Sequence, residues 1–291
     1  MTASRRIGFV GLGNMGLPMS RRLVEAGHEV LGYDVAETAR VALEAAGGTA
    51  VAELAGVAAA DVLILMLPNS DVVEAVLGDP GLSGALRAEH VVVDMSSSEP
   101  SKTRTLAASL DEHGVHLVDA PVSGGVTGAV NGKLTIMVGG APAVVDGIRP
   151  VFEVLGTPVH AGPVGSGHAI KALNNLLSAT HLWITSEAMI AGERFGLDPE
   201  VMLAIFNGSS GRSGSTENKW PNFILPGSYD SGFGLRLMLK DMRIAVGLAE
   251  QVGSPSVLGE DAVDLWAAAA AGLPERADHT EIARWLKEKR D

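Results

Sequence analysis

The sequence predicts an α/β domain followed by an all-helical domain. Three observations carry that reading. Short apolar runs alternate with helical-period segments from residue 7 to about residue 162. The strand pattern then stops. Residues 167–195 contain no Pro and one internal Gly, at 192, so they read as a single long helix of about 28 residues, roughly 42 Å at 1.5 Å per residue. The 291 residues suffice for two ordinary domains. The expected division is 1–162 and 163–291, joined by the helix starting near 167. With 46% hydrophobic and 19% charged residues the chain is globular rather than disordered, and its 36 glycines without a repeat imply many turns.

Residues 7–10 (IGFV) form an apolar strand, followed by GLGNMG and then by Met19, Leu23 and Ala26 at helical spacing, closed by Gly27. Pro18 falls near the helix start, where a missing N–H matters least. HEVLGYD reads as a second strand ending at Asp34, completing a βαβ unit. A helix near 38–46 comes next, then the strand DVLILMLP, stopped by Pro68. Further strands are expected in HVVVDMS, VHLVDAPV, KLTIMVG and TPVHAG, with helices over 101–112 and 143–155. Runs of this kind suit a parallel sheet covered on both faces. Beyond the long helix, segments 199–207, 235–252, 256–271 and 279–290 read as helices separated by Gly, Pro and Ser clusters.

Charge narrows the partners. Lys plus Arg number 22 against 34 Asp plus Glu, and a net charge of -12 repels a polyanionic duplex, so no nucleic acid is expected. The chain has no Cys, which excludes disulfides and thiolate chemistry and is compatible with a reducing compartment. Arg5 and Arg6 precede an apolar stretch, but Gly8, Gly11 and Gly13 interrupt it early, so a cytoplasmic N-terminus is expected rather than a signal peptide. The longest apolar candidate, 51–67, is broken by Glu53 and Asp61, so no membrane span is expected.

Gly11, Gly13 and Gly16 make the G-x-G-x-x-G spacing, with Asn14 and Met15 completing the loop. The first glycine permits a tight turn, the second lets backbone approach a pyrophosphate, and the third lets the helix pack on the strand. The helix N-terminus then faces the phosphates. An ordinary glycine turn has the same spacing, but this one follows a strand, opens a helix and precedes Asp34 at the end of the next strand. A Rossmann-like, dinucleotide-binding N-terminal domain follows. Asp34 can accept hydrogen bonds from both ribose hydroxyls and would repel a 2′-phosphate, which favours NAD over NADP. Arg40 is the nearest downstream cation and could serve a 2′-phosphate if the loop folded back.

In the long helix, Lys171, Asn174, Asn175 and Ser178 share one face among Ala, Leu and Ile. Burial of such a lysine would lower its pKa toward a value useful in acid–base work. A solvated stripe on an amphipathic helix is the plainer reading of these residues alone. DAPVSGG, 119–125, places Ser123 ahead of Gly124 and Gly125, where backbone N–H groups could cradle a carboxylate or simply make a turn. His113 and His116 in DEHGVH give H-x-x-H, but they straddle a helix-to-strand turn and no metal site is expected. His168, His181, Trp183 and Trp220 read as packing or surface residues. Arg212 could bind an anion, though a surface arginine in a polar loop is the plainer reading.

Taken in order, FVGLGNMGLPMS, MLPNS at 66–70, DMSS at 94–97, DAPVSGG, G-x-G-x-x-x-K-x-x-N-N over 165–175 and KD at 240–241 span nearly the whole chain. This set resembles the β-hydroxyacid dehydrogenase family, which includes 3-hydroxyisobutyrate dehydrogenases and tartronate semialdehyde reductases. The resemblance implies a Rossmann-like domain, a helical domain and a homodimer or homotetramer built through the helices. It implies Lys171 as the catalytic acid/base, and Asn175 with Ser123, Gly124 and Gly125 as substrate ligands. It also implies Leu67, Pro68 and Ser97 in loops lining the cofactor, with Ser97 where relatives often have Thr. Phe233 and Lys240 would belong to the element that closes over the nicotinamide. The substrate expected is a small hydroxy acid. SSGR at 209–212 matches the hydroxyisobutyrate dehydrogenases, whereas MLPNS and ADHTEIARWL look more like tartronate semialdehyde reductases. A non-catalytic dinucleotide-binding scaffold is the rival reading. Lys171 with Asn175 one turn away argues against it.

Overall fold

The computed structural model describes residues 4–289 and divides into two compact units, Met1–Lys171 and Ala172–Asp291. In the first, one sheet contains β1 (Arg6–Val10), β2 (Glu29–Tyr33), β3 (Thr49–Ala50), β4 (Val62–Leu65), β5 (Val91–Asp94), β6 (His116–Asp119), β7 (Val122–Ser123), β8 (Leu134–Gly139) and β9 (Gly156–Gly162). Their order is β3-β2-β1-β4-β5-β6-β8-β7, with β9 also paired to β8. Strands β3 to β6 are parallel, whereas β8 runs antiparallel to β6 and β7. The sheet is therefore mixed rather than parallel throughout. The reason is chain length, because the link 124–133 is shorter than the dozen or so residues a parallel crossover needs.

Seven helices accompany the sheet: α1 (Gly16–Glu25), α2 (Glu37–Ala45), α3 (Ser70–Leu77), α4 (Pro80–Ala85), α5 (Pro100–Asp111), α6 (Gly125–Asn131) and α7 (Pro142–Leu155), with a 3-10 turn over Leu54–Ala59. Apolar residues on alternate strand positions serve opposite faces of the sheet. Ile7, Phe9, Ile64 and Val93 join one core with Met19, Leu23 and Phe152. Val10, Leu63, Leu65 and Val92 join the other with Val73, Leu77 and Leu110. That double burial is why the strands are apolar throughout.

The helix α8 (Ser166–Phe195) begins in the first compact unit, which extends to Lys171 inside this helix. Its first turn is tied to the sheet, because the buried Asp119 carboxylate accepts hydrogen bonds from the N–H groups of Gly165 (2.7 Å) and His168 (2.8 Å). The second unit adds α9 (Pro199–Asn207), α10 (Leu235–Gln251), α11 (Val257–Gly272) and α12 (Glu281–Glu288). A π-helical stretch, Ser215–Ile224, forms where the polar composition predicts a loop. Trp183, Trp266 and Trp285 anchor this core, with ring centroids 6.4 and 5.9 Å from Trp183. Among the described residues no helix is long and apolar enough to cross a membrane.

Candidate functional site

Strand β1 lies between β2 and β4. In a parallel α/β sheet the crevice for a ligand opens at the carboxyl ends of strands where the order reverses. The loop after β1 is GLGNMG, and its three glycines meet different surroundings. Gly11 has φ +93°, and a Cβ there would stand 2.3 Å from the Met66 carbonyl oxygen. A Cβ on Gly16 would stand 1.8 Å from the Gly11 carbonyl oxygen, so α1 rests directly on the loop. Around Gly13 no atom lies within 4 Å of the Cβ position. The protein itself thus requires glycine at 11 and 16, while the open space at 13 suits a ligand that approaches the backbone. Met15, at the N-cap of α1, makes no side-chain cap, and the first turn carries no acidic residue. Leu17 N–H already donates to the Gly13 carbonyl oxygen and Pro18 has no N–H, so the helix end offers an anion its positive dipole together with the loop backbone before it.

Asp34 follows β2. Its Oδ2 accepts from Leu12 N–H (2.7 Å) and its Oδ1 from Ala36 N–H (2.8 Å), which fixes the carboxylate beside the glycine loop. Each oxygen keeps a lone pair for a ribose hydroxyl. Arg40 does fold back: its Nη1 donates to the carbonyl oxygens of Asp34 (2.5 Å) and Val35 (3.4 Å). The loop after β4 carries Leu67 and exposed Pro68, and the loop after β5 carries Ser96 and Ser97. Leu67 N–H donates to Ser96 Oγ at 2.9 Å, joining the two loops. Asp94 organises the second loop by accepting from Ser96 N–H (2.9 Å) and Ser98 Oγ (2.7 Å).

Ser123 ends β7, and Gly124 and Gly125 take φ +125° and +60° as the chain turns into α6. Backbone of that kind favours glycine over other L-residues. The Cβ position of Gly125 is open to 4 Å, which leaves its backbone approachable. Lys171 lies on α8 one turn beyond His168 and is 6% exposed, so it is buried and not part of a solvated stripe. Asn174 on the neighbouring position is exposed.

Within the second unit, Asn175 is buried and its Nδ2 donates to Asp241 Oδ2 at 2.6 Å. Lys240 Nζ stands 3.2 Å from Asp241 Oδ1. One carboxylate therefore brings together two residues singled out from the sequence. Phe233 is held by its backbone: its N–H donates to Asp278 Oδ2 (3.1 Å) and its carbonyl accepts from His279 Nδ1 (2.9 Å). Burial works against the Asp278 charge, but hydrogen bonds from Thr280 and Ser231 hold its carboxyl below the usual carboxylate range. Burial, with the Lys219 charge adding to it, pushes His279 down to about 4.

Neutral His279 belongs to the folded state, so its contribution is fully present above an ordinary histidine pKa of about 6.5 and is lost as pH falls from there toward 4. Urea unfolding followed by Trp fluorescence should lose up to about 3 kcal/mol of stability through this group over that window. His279→Gln should flatten the acid dependence. A variant with the wild-type slope would mean that His279 does not carry it.

Arg212 pairs with Glu217 at 2.7 Å, both exposed. The sequence reading missed Asp119, His168, Ser96 and Asp241. Asp119 and Asp241 stand inside quoted motifs, DAPVSGG and KD, and a carboxylate closing an apolar strand was the available signal for the first. His168, read as packing or surface, is buried and hydrogen-bonded through both ring nitrogens.

Residues 6–165 match the NAD binding domain of 6-phosphogluconate dehydrogenase, and residues 165–286 match the NAD-binding domain of NADP-dependent 3-hydroxyisobutyrate dehydrogenase. The chain is 42% identical over 258 residues to 2-(hydroxymethyl)glutarate dehydrogenase of Eubacterium barkeri, covering 88% of this chain and 86% of that protein. It is 38% identical to the mitochondrial 3-hydroxyisobutyrate dehydrogenase of Homo sapiens, covering 97% and 87%. The solved structure of Mycobacterium tuberculosis 3-hydroxyisobutyrate dehydrogenase with L-serine superposes with a TM-score of 0.91 at 34% identity, covering 98% of this chain and all of that one.

Proposed function

Because the chain belongs to the β-hydroxyacid dehydrogenase family of NAD(P)-dependent oxidoreductases, we propose that it oxidises a small acid of the form HOCH2–CHR–COO⁻, reversibly, with Lys171 as acid/base. The observation that carries the acid/base assignment is a lysine almost removed from water, on a helix face it shares with the buried Asn175. In this reading neutral Lys171 Nζ takes the hydroxyl proton during oxidation and returns it during reduction. Ser123, Gly124, Gly125 and Asn175 hold the carboxylate and so fix the carbinol carbon. Bound NAD⁺ supplies the nicotinamide carbon that accepts the hydride. Gly13, Asn14 and Met15 cradle its pyrophosphate, Asp34 its ribose, and Leu67, Pro68, Ser97, Phe233 and Lys240 line the rest.

The form of the substrate rests on chemistry shared by the relatives. The 2-(hydroxymethyl)glutarate, 3-hydroxyisobutyrate and L-serine in their names all carry a hydroxymethyl group on the carbon next to a carboxylate. Glycerate has the same frame. Initial rates over a panel that varies only R, each with NAD⁺ and NADP⁺, test the proposal. Turnover of at least one such acid supports it, and silence across the panel with normal NADH binding refutes the substrate class.

The carboxylate of Asp34 beside the glycine loop supports NAD as the preferred cofactor. Asp34→Ser should raise KM for NAD⁺ by roughly tenfold, the worth of a charge-assisted hydrogen bond, and lower KM for NADP⁺, with Arg40 available to the phosphate. Unchanged ratios would remove Asp34 as the determinant. A homo-oligomer belongs to the same reading: α8 leaves Ile170, Leu173, Leu177 and Ile184 exposed along one face, a stripe suited to a second copy. Light scattering on the purified protein gives the order. A cytoplasmic location completes the reading, and fractionation of the source cells tests it.

A further inference from the structure

The loop after β5, helix α5 and the carboxyl ends of β5 and β6 converge on one side chain in the first turn of α8. His168 is 1% exposed. Its Nε2 lies 3.1 Å from the Ser96 carbonyl oxygen, which can only accept, so Nε2 carries the proton. Its Nδ1 lies 2.8 Å from Thr103 Oγ1 on α5, a hydroxyl that also stands 3.0 Å from the Glu99 carbonyl oxygen. Its own backbone N–H donates to Asp119 Oδ2 at the end of β6. Asp94 Oδ2 stands 3.7 Å from Nε2 and Asp119 Oδ2 stands 3.9 Å from Nδ1, so the ring is bracketed by two buried carboxylates. Ser96 in turn accepts from Leu67 N–H through its hydroxyl. A continuous path of hydrogen bonds therefore runs from the loop after β4, through the loop after β5, into the ring of His168, and Lys171 is three residues further along the helix.

This is more than a helix cap. Asp119 already satisfies the N–H of Gly165, just before α8, and that of His168 in its first turn. Close approach already seats the helix, because a Cβ on Gly167 would stand 2.1 Å from the Met137 carbonyl oxygen. The ring of His168 adds a polar link in a place where an apolar side chain would fill the volume at less cost in desolvation. What that link fixes is the loop 96–98 relative to the turn of helix that carries Lys171, three residues away on the same side.

We infer that His168 is a positioning residue, which holds the loops bearing Leu67 and Ser97 and the helix turn bearing Lys171 in one fixed arrangement. The inference rests on the acid/base reading of Lys171 for its kinetic consequence and on the geometry alone for its structural one. His168→Gln keeps a donor for the Ser96 carbonyl and a polar atom toward Thr103 Oγ1, whereas His168→Leu keeps bulk and loses both. Thr103→Val removes the Nδ1 partner without emptying the site.

The experiment compares the three variants with wild type in kcat, KM for NAD⁺, the deuterium isotope effect on kcat with carbinol-deuterated substrate, and amide hydrogen exchange over 95–98 and 165–170. For His168→Leu, kcat is expected to fall roughly tenfold to a hundredfold, the scale of small misplacement in an active site. The isotope effect should rise as the chemical step becomes limiting, and exchange should speed up in both segments. His168→Gln should recover kcat to within about threefold. Thr103→Val should show a smaller loss in the same direction, and it remains informative if His168→Leu does not fold. Equal activity for Leu and Gln, whether normal or reduced, would overturn the inference by showing that volume alone matters. Faster exchange with unchanged kcat would overturn the link to catalysis. Failure of the lysine reading itself is seen separately, as normal turnover in Lys171→Ala.

Discussion

Lys171→Ala is expected to lower kcat by about three orders of magnitude, within the range that a positioned acid/base contributes, while NADH affinity should stay within about twofold of wild type. Lys171 is buried on α8, one turn beyond His168. Taking a proton from an alcohol needs a base held at the hydroxyl and gains nothing from one elsewhere. Steady-state rates of NADH appearance and a fluorescence titration of NADH read the two quantities independently. Turnover near wild type with intact binding would remove Lys171 from the chemistry and leave the substrate class standing. Loss of binding together with turnover would mean that the substitution disturbs the first turn of α8 instead.

The second large effect separates two glycines that a motif treats alike. Gly13→Val should abolish measurable NADH binding, a loss of roughly a hundredfold or more in Kd, with the melting temperature unchanged, since nothing in the protein lies within 4 Å of the Cβ position. Gly16→Ala should do the reverse in kind. Its Cβ would stand 1.8 Å from the Gly11 carbonyl oxygen, so the helix must lift from the loop, and the melting temperature should drop by about 5 °C or more. Differential scanning calorimetry beside NADH titration distinguishes them. A Gly13→Val protein that binds NADH normally would show that the open space is not where the pyrophosphate lies.

Much of this was readable in the residues because the determinants are local. Strand, glycine turn and helix follow one another within about thirty residues, and each is set by spacing and by glycine chemistry that needs no distant partner. The long helix was legible for the same reason, as an uninterrupted stretch. What could not be read depended on pairings between remote segments. The reversal of β8 follows from the length of one short link. Helix α3 is started by Asn69, whose side chain accepts from Val72 N–H, and α4 by Asp79 with Pro80, caps that outweigh the two glycines within α4. The π-helical turn at 215–224 leaves no periodic signature in so polar a segment. In the site, Lys171 and Asn175 were visible as an unusual stripe, whereas Asp119, His168 and Asp241 gain meaning only through partners 46, 72 and 66 residues away.

The margins of the sheet have a bearing on how the protein behaves when concentrated. An exposed strand edge is a template on which a second chain can add, and long flat edges promote association of that kind. Here β3 and β7 are two residues each. The longer margin, β9, has Pro158 near its middle in register with Ile136, and a proline offers no N–H to an incoming strand. The ladder therefore ends with its last strand, which leaves the open sheet resistant to edge-to-edge aggregation during folding and storage.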